Sequence, residues 1–217
     1  MSKKLGIFFV IIIIGVAIAA IFPYVTLNPA DSRVKLNTAF SLHYTVLVLH
    51  IGFAFVALVS GLFQFHKRFR RTNYSAWHRA LGRVYVVSVI LGGLLGLVMT
   101  LYIESFTKAM AFLVLSLLWL FTTWKGFRYA VQRQFDEHRV WMIRSYAITL
   151  VATSARLVVP ICILLYIAMQ GFHLPAGGRE QMVADILEIN IWIGLLINLI
   201  VVEWFLLRPR RDKGPLR

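Results

Sequence analysis

The chain has 217 residues, of which 59% are hydrophobic and only 15% are charged, and its mean hydropathy is +0.76. A soluble domain has about 45–50% apolar and roughly 25% charged residues, so this composition excludes a water-soluble globule. The formal charge of +14 would suit a nucleic-acid partner only if the basic residues covered a folded soluble surface. The single cysteine, Cys162, leaves no pair for a disulfide or a closely spaced metal site.

Six apolar stretches are each long enough to cross a hydrocarbon layer of about 30 Å. They cover residues 5–24, 43–65, 80–102, 109–127, 141–167 and 186–207. The sequence therefore predicts an all-α fold, a polytopic bundle of six transmembrane helices that forms one domain over residues 1–217. The first stretch also resembles a secretory signal peptide, but its length favours a retained helix over a cleaved one.

Basic residues are concentrated on one side of the predicted spans. The start of the chain, the segments 66–79 and 125–144 and the tail after Leu207 hold most of the lysines and arginines. By the positive-inside rule these segments face the cytoplasm, so both termini are predicted to be cytoplasmic in a bacterial inner membrane. Anionic lipid headgroups at that face are the expected partner of this charge, and nucleic acid is not.

Polar and small residues recur at helical spacing on the second, third, fifth and sixth spans, which we predict to surround a common polar interior. The first and fourth spans have no such stripe and are predicted to be peripheral. The stripes include the following residues: His50 and Gln64; His78, Tyr85, Gly92 and Gly96; His138, Ser145, Thr149, Thr153 and Arg156; Asn190, Gly194 and Asn198.

The helical rise of 1.5 Å per residue places these polar groups at two depths. An upper layer holds His50 and Arg156, with Asn198 near them, and a lower layer at the cytoplasmic boundary holds several histidines and arginines. The members of the lower layer are His66, His78, His138, Arg79, Arg139, Arg144 and Glu203.

Structural interpretations of the same residues stay open. The pairs His78-Arg79 and His138-Arg139 also suit helix flanks that reach to lipid headgroups. The glycines of the third span, Gly92, Gly93 and Gly96, favour close helix packing over space for a cofactor. Arg156 before Pro160 suits an arginine bonded to helix carbonyls freed by the proline. His43 and His173 are predicted to be solvated.

The two layers suit redox chemistry, because facing histidines in helix bundles hold b-type haem and a histidine with an arginine can bind quinone. His78 and His138 are the best-placed ligands for a haem iron or metal ion, and His50 with Arg156 would suit quinone. The candidate cofactor-binding residues are His78, His138, His50, Arg156, Tyr85, Gln64, Arg144, Asn198 and Glu203. No catalytic residue is assigned, and whether the protein is an enzyme stays open.

Two other functions fit the same pattern. Arg156 as countercharge and His50 as proton relay would suit transport of an anionic or protonatable solute. Basic cytoplasmic loops and short outer loops would suit an accessory or assembly subunit that docks on a larger membrane complex.

Several runs of residues together resemble one family. They are His50 to Gly61 with Gln64 and Phe65, His78-Arg79 with Gly82 to Tyr85, the stretch His138 to Tyr146, Arg156 with Pro160, and Asn198 with Glu203. This pattern, over residues 43–207, resembles the predicted bacterial membrane proteins known as domain of unknown function 2306. The resemblance implies a membrane location, and it carries over no activity.

Overall fold

The computed structural model describes residues 3–38, 40–65, 75–171 and 173–207. These residues form helices and contain no strand, which confirms the all-α prediction. The helices are α1 (Lys3–Ile21), α2 (His43–Phe65), α3 (Ser75–Thr100), α4 (Phe106–Val131), α5 (Phe135–Thr149), α6 (Val151–Leu157), α7 (Val159–Met169) and α8 (Gly178–Ile200), which continues as a π-helical segment over Val201–Leu206. His66, the neighbouring basic residues up to 74 and the tail from 208 lie outside the described residues.

Five helices are long and apolar enough to cross a membrane, namely α1, α2, α3, α4 and α8 with its π-helical segment. The pair α6 and α7 makes a sixth candidate span that is bent by 42°. Several helices extend beyond the predicted apolar stretches, because polar and aromatic flanks continue the helix past the hydrocarbon layer. For example, α3 begins at Ser75 and α4 ends at Val131.

The helices pack in chain order from α2 to α5, with α3 between α2 and α4 and with α4 against α5. A second group forms where α8 packs against α6 and α7. Helix α1 touches α2 and α6 and is largely uncovered by the rest of the chain, so the prediction that the first span is peripheral is confirmed.

The prediction that the fourth span is peripheral is wrong. Helix α4 contacts α3, α5 and α8, and it buries a stripe of small and hydrogen-bonding residues. This stripe comprises Ser116, Trp119, Thr123 and Gly126. Their spacing is helical, but serine, threonine and glycine are common in transmembrane helices, so the stripe was not distinguished from ordinary span residues.

The predicted fifth span is not one continuous helix. It is interrupted at Leu150, between α5 and α6, and again at Val158, between α6 and α7. The second interruption has a local cause, since Pro160 has no N–H to donate to the carbonyl of Arg156. The first interruption contains no proline or glycine, so its cause lies in the packing around it.

The side chain of Asn198 on α8 bonds residues on both sides of the Leu150 break. The Asn198 amide Nδ2 donates to the Ala147 carbonyl oxygen at 2.9 Å, and its Oδ1 accepts from Ser154 Oγ at 2.8 Å. A polar group inside a membrane protein is costly unless it is bonded, so this asparagine stabilises the break. The polar stripe predicted for the sixth span therefore faces α5 and α6.

Close helix packing explains the glycines of α3. A Cβ atom on Gly93 would lie 2.7 Å from Leu120 Cδ2, and one on Gly96 would lie 2.6 Å from Ser116 Oγ. A Cβ on Gly92 would press on Trp119 and Phe53. The interpretation of this stripe as a packing surface is confirmed, because the absence of side chains lets α3 approach α4 and α2.

Candidate functional site

The centre of the bundle holds a network of hydrogen-bonded side chains from three helices. Tyr85 Oη of α3 lies 2.7 Å from Ser145 Oγ and 2.8 Å from Thr149 Oγ1, both on α5. From α4, Trp119 Nε1 donates to Thr149 Oγ1 at 2.9 Å, and Thr123 Oγ1 lies 2.6 Å from Ser145 Oγ. All five side chains are buried, so the network joins α3, α4 and α5 inside the bundle.

The proton positions in this network follow from counting donors. Indole N–H can only donate, and the Thr149 hydroxyl donates to the carbonyl oxygen of Ser145 at 3.1 Å. Tyr85 must then donate to Thr149, which leaves Ser145 to donate to Tyr85 and Thr123 to donate to Ser145. Each of the five protons is used once, so the hydroxyls form a saturated structural network. The Tyr85 hydroxyl, a sequence-predicted cofactor contact, is committed to this network on both sides.

His50 lies towards the opposite end of α2 from Gln64 and is fixed by one hydrogen bond. Its Nδ1 lies 2.8 Å from the carbonyl oxygen of Gly92, and since a carbonyl only accepts, Nδ1 carries the proton. In the neutral ring Nε2 therefore has a lone pair, and it makes no hydrogen bond to the described residues. The structure thus presents His50 Nε2 as a base or an acceptor at this depth.

His138, near the start of α5, repeats this arrangement. Its Nδ1 lies 2.8 Å from the carbonyl oxygen of Gly126 on α4, so the proton is again on Nδ1. A backbone carbonyl that accepts from one imidazole nitrogen is the usual way to orient a histidine whose other nitrogen binds a metal. His138 Nε2 makes no hydrogen bond to the described part of the chain.

His78 and His138 lie at one level of the bundle. Helices α3 and α5 run in the same direction, because each is joined to the intervening α4 by a short turn. His78 precedes Tyr85 by two helical turns, and His138 precedes Ser145 by two turns, about 10.5 Å in both cases. Since the Tyr85 and Ser145 hydroxyls are bonded to each other, both histidines lie on the same side of that bond along the helix axes.

Gln64 joins the lower end of α2 to α3. Its Nε2 donates to the carbonyl oxygen of His78 at 2.7 Å. This bond adds a second donor to a carbonyl in the first turn of α3 and holds the backbone of His78 against α2. The predicted site residue Gln64 therefore contacts the predicted site residue His78 through the backbone, as a positioning interaction.

Arg144 and Glu203 form a two-point ion pair between α5 and the π-helical segment after α8. Arg144 Nε lies 2.6 Å from Glu203 Oε1, and Nη2 lies 3.0 Å from Oε2. The guanidinium also lies over the Trp141 ring, with its Cζ 4.8 Å from the ring centroid. The pair neutralises Arg144, so the sequence-predicted site residues Arg144 and Glu203 are brought together and act on each other.

The structure does not bring Arg156 to His50. Arg156 lies on α6, is exposed, and donates from Nη1 to the carbonyl oxygen of Ala152 at 2.7 Å. His50 packs on α3, whereas α6 packs on α8 and α1. The prediction that Arg156 meets His50 rests on their similar depth alone. In the structure the helix is interrupted at Leu150, and Arg156 beyond it does not share the buried face of Ser145 and Thr149.

His43 is buried, so the prediction that it is solvated is wrong. Only 2% of its surface is exposed, and Nδ1 accepts the backbone N–H of Asn37 at 2.8 Å. Rings of Phe40 and Tyr102 cover it, and these two rings stack on each other at 4.1 Å between centroids. The signal in the sequence is Phe40, three positions before His43, because an aromatic ring at this spacing can cover the imidazole.

Among the described residues, no group of three or more His, Cys, Asp or Glu side chains lies close enough together to hold a metal ion. A haem needs only two axial ligands and supplies the other four nitrogen ligands itself. The described residues offer two histidines at one level, His78 and His138.

Comparison with known proteins places the chain in a family. The model of the predicted membrane protein family DUF2306 matches residues 47–206, which is most of the chain and includes both histidine levels. No curated protein and no solved structure matches the chain. The match agrees with the all-helical fold and with the apolar helices described above. The chain is therefore a membrane protein that belongs to the DUF2306 family.

Proposed function

We propose that this protein is a redox-associated protein of the bacterial inner membrane that binds a b-type haem where α3 and α5 begin. The observation that carries the proposal is the orientation of His138. Its Nδ1 proton is bonded to the Gly126 carbonyl, so the lone pair of Nε2 is available to ligate a metal ion. His78, at the same level on α3, is the residue that would hold the haem together with His138. The residues thus fit the ligand set of a b-type haem.

Other residues of this end have supporting roles. Gln64 holds the backbone of His78 through its 2.7 Å hydrogen bond. Arg79 and Arg139 follow the two histidines and are exposed, so they are available to neutralise haem propionates. Arg144 is already neutralised by Glu203, and its role is to hold α5 against the end of α8. A bound haem would supply one-electron transfer.

The test is the visible absorption spectrum of detergent-purified protein, expressed with haem available, in the oxidised and dithionite-reduced states. We expect a Soret band and sharp reduced bands at about one haem per chain. His78→Ala and His138→Ala should each abolish the normal low-spin spectrum. His173→Ala is the matched control, since His173 is exposed in the segment between α7 and α8 and should leave the spectrum unchanged. Colourless wild-type protein, or full spectra in both ligand variants, would refute the proposal.

Quinone is the second candidate ligand, and His50 is the observation that favours it. Its Nε2 is an acceptor inside the span, as a quinol hydroxyl requires, and Ser116 Oγ lies beside the same Gly96 surface. His50→Ala should then lower the quinone that co-purifies with the protein, measured by extraction and chromatography, while His173→Ala should not. Equal quinone content in wild type and His50→Ala would exclude this site.

Transport of an anionic solute and a subunit role in a membrane complex are the alternatives. The interrupted helix at α6 and α7 favours transport, because transporters place substrates at such breaks. Against it, the Asn190 amide already donates to the carbonyl of Ala155, three residues before the break at Val158. A colourless preparation that contains no quinone would leave these two functions, and uptake into proteoliposomes would distinguish them.

A further inference from the structure

Lys125, near the end of α4, lies among four aromatic rings. Its Nζ is 5.7–6.0 Å from the ring centroids of Phe121, Trp124, Tyr129 and Trp141. Arg128 lies over Trp124 and Arg144 over Trp141, with Cζ atoms 5.5 Å and 4.8 Å from the centroids. We call Lys125, Arg128, Arg144, Trp124 and Trp141 the Lys125 cluster. Ring faces attract cations, and this explains how three positive side chains are held so near one another.

The charge of the cluster is not balanced by the protein. Glu203 pairs with Arg144, whereas neither Lys125 nor Arg128 forms an ion pair within the described residues. Aromatic faces hold cations but carry no net charge, so two positive charges stay uncompensated. An anion between them would complete the cluster.

The position of the cluster indicates which anion fits. It lies at the end of an apolar span, where tryptophan and lysine mark the boundary between hydrocarbon and headgroups. Trp124 is 49% exposed and Phe121 is 46% exposed, so an apolar surface adjoins the cations. A free phosphate would use only the charges, while a phospholipid would use the charges with its headgroup and the exposed rings with its glycerol and acyl region.

We propose that the Lys125 cluster binds the headgroup of an anionic phospholipid, with its phosphate between Lys125 and Arg128. The site is independent of haem or quinone binding, since it uses none of the histidines. The proposal assigns part of the general attraction between basic residues and anionic lipid to one defined site. Arg144 and Glu203 act as positioning residues, because their ion pair holds Trp141 and the end of α8 beside the cluster.

The test is native mass spectrometry of full-length protein in detergent with added phosphatidylglycerol or phosphatidylcholine. Wild type should retain phosphatidylglycerol in preference to phosphatidylcholine. Lys125→Gln and Arg128→Gln should each weaken this retention about fivefold, as expected for one cation at a lipid surface. Lys125→Arg should restore it. Lys108→Gln, at the other end of α4, is the control that should retain binding.

Each further outcome decides the proposal. Equal retention of the two lipids by wild type, or unchanged retention in Lys125→Gln and Arg128→Gln, would overturn it. Displacement of the lipid by inorganic phosphate at matched concentration would show that the site recognises phosphate alone, and would also overturn the assignment to lipid. The melting temperature of every variant is measured in parallel, and Lys125→Arg distinguishes lost charge from lost folding.

Discussion

Gly61 of α2 lies directly against the ring of Tyr146 of α5, and the Tyr146 hydroxyl donates to the carbonyl oxygen of Leu58 at 3.2 Å. The absence of a side chain at Gly61 therefore makes room for the Tyr146 ring. Because the contact joins α2 to α5, it closes the group of helices that contains both histidine levels.

Replacing this glycine should destabilise the protein. In Gly61→Ala the new Cβ would overlap the Tyr146 ring, and overpacking of a core costs about 1–3 kcal/mol. Gly52→Ala is the control on the same helix, since no other helix of the described residues brings an atom within 4 Å of the position of its Cβ. Thermal unfolding in detergent should show a lower melting temperature for Gly61→Ala only. Equal melting temperatures for the two variants would contradict the packing described.

Two buried tyrosine hydroxyls, one inside the saturated network and one outside it, should respond differently to removal. Tyr85→Phe leaves the Ser145 proton and a Thr149 acceptor unpaired in a buried site, which costs about 1–3 kcal/mol. Tyr44→Phe removes a buried hydroxyl that has no hydrogen-bond partner among the described residues, so it should be neutral or stabilising. Denaturation curves for both variants measure the difference. A Tyr85→Phe protein as stable as wild type would show that the network does not contribute to stability.

The Arg144–Glu203 pair should contribute to stability without contributing to the proposed haem site. The two side chains are 27% and 41% exposed, so the coupling is reduced by solvent to about 1 kcal/mol even for two-point geometry. Arg144→Gln, Glu203→Gln and the double variant form a double-mutant cycle. The loss of stability in the double variant should be smaller than the sum of the two single losses by about 1 kcal/mol, the coupling energy of the pair. Glu203→Gln should leave the absorption spectrum unchanged. A lost haem spectrum in Glu203→Gln would place this carboxylate at the ligand instead.

Asn198 should be more important to the broken helix than its hydroxyl partner. Asn198→Leu removes the bond to the Ala147 carbonyl and the bond from Ser154, whereas Ser154→Ala removes only the second. Stability should therefore fall by about 1–3 kcal/mol for Asn198→Leu and by less for Ser154→Ala. Chemical denaturation of both variants provides the comparison. The reverse order would indicate that the Ala147 carbonyl finds another donor.

Much of the architecture follows from sequence, because hydropathy reports which segments can lie in hydrocarbon and in which order. Helical spacing also identifies which residues share a face, and so the glycines of α3 were assigned to packing and His78 and His138 to one boundary. The same reasoning did not predict the central position of α4, because the serine and threonine side chains that this helix buries are polar but uncharged. It also missed His43, whose cover comes from Phe40 and from Tyr102, far along the chain.

The sequence by itself determined a helical membrane protein, the approximate limits of its spans and the family that its motifs resemble. Only the tertiary structure decided which faces meet, because periodicity describes one helix and carries no information on its neighbour. Thus the residues beside the Leu150 break bond Asn198 of α8, and the tautomers of His50 and His138 depend on carbonyls of Gly92 and Gly126. Backbone groups contributed by other helices leave no trace in the local sequence, yet they set the chemistry of each imidazole.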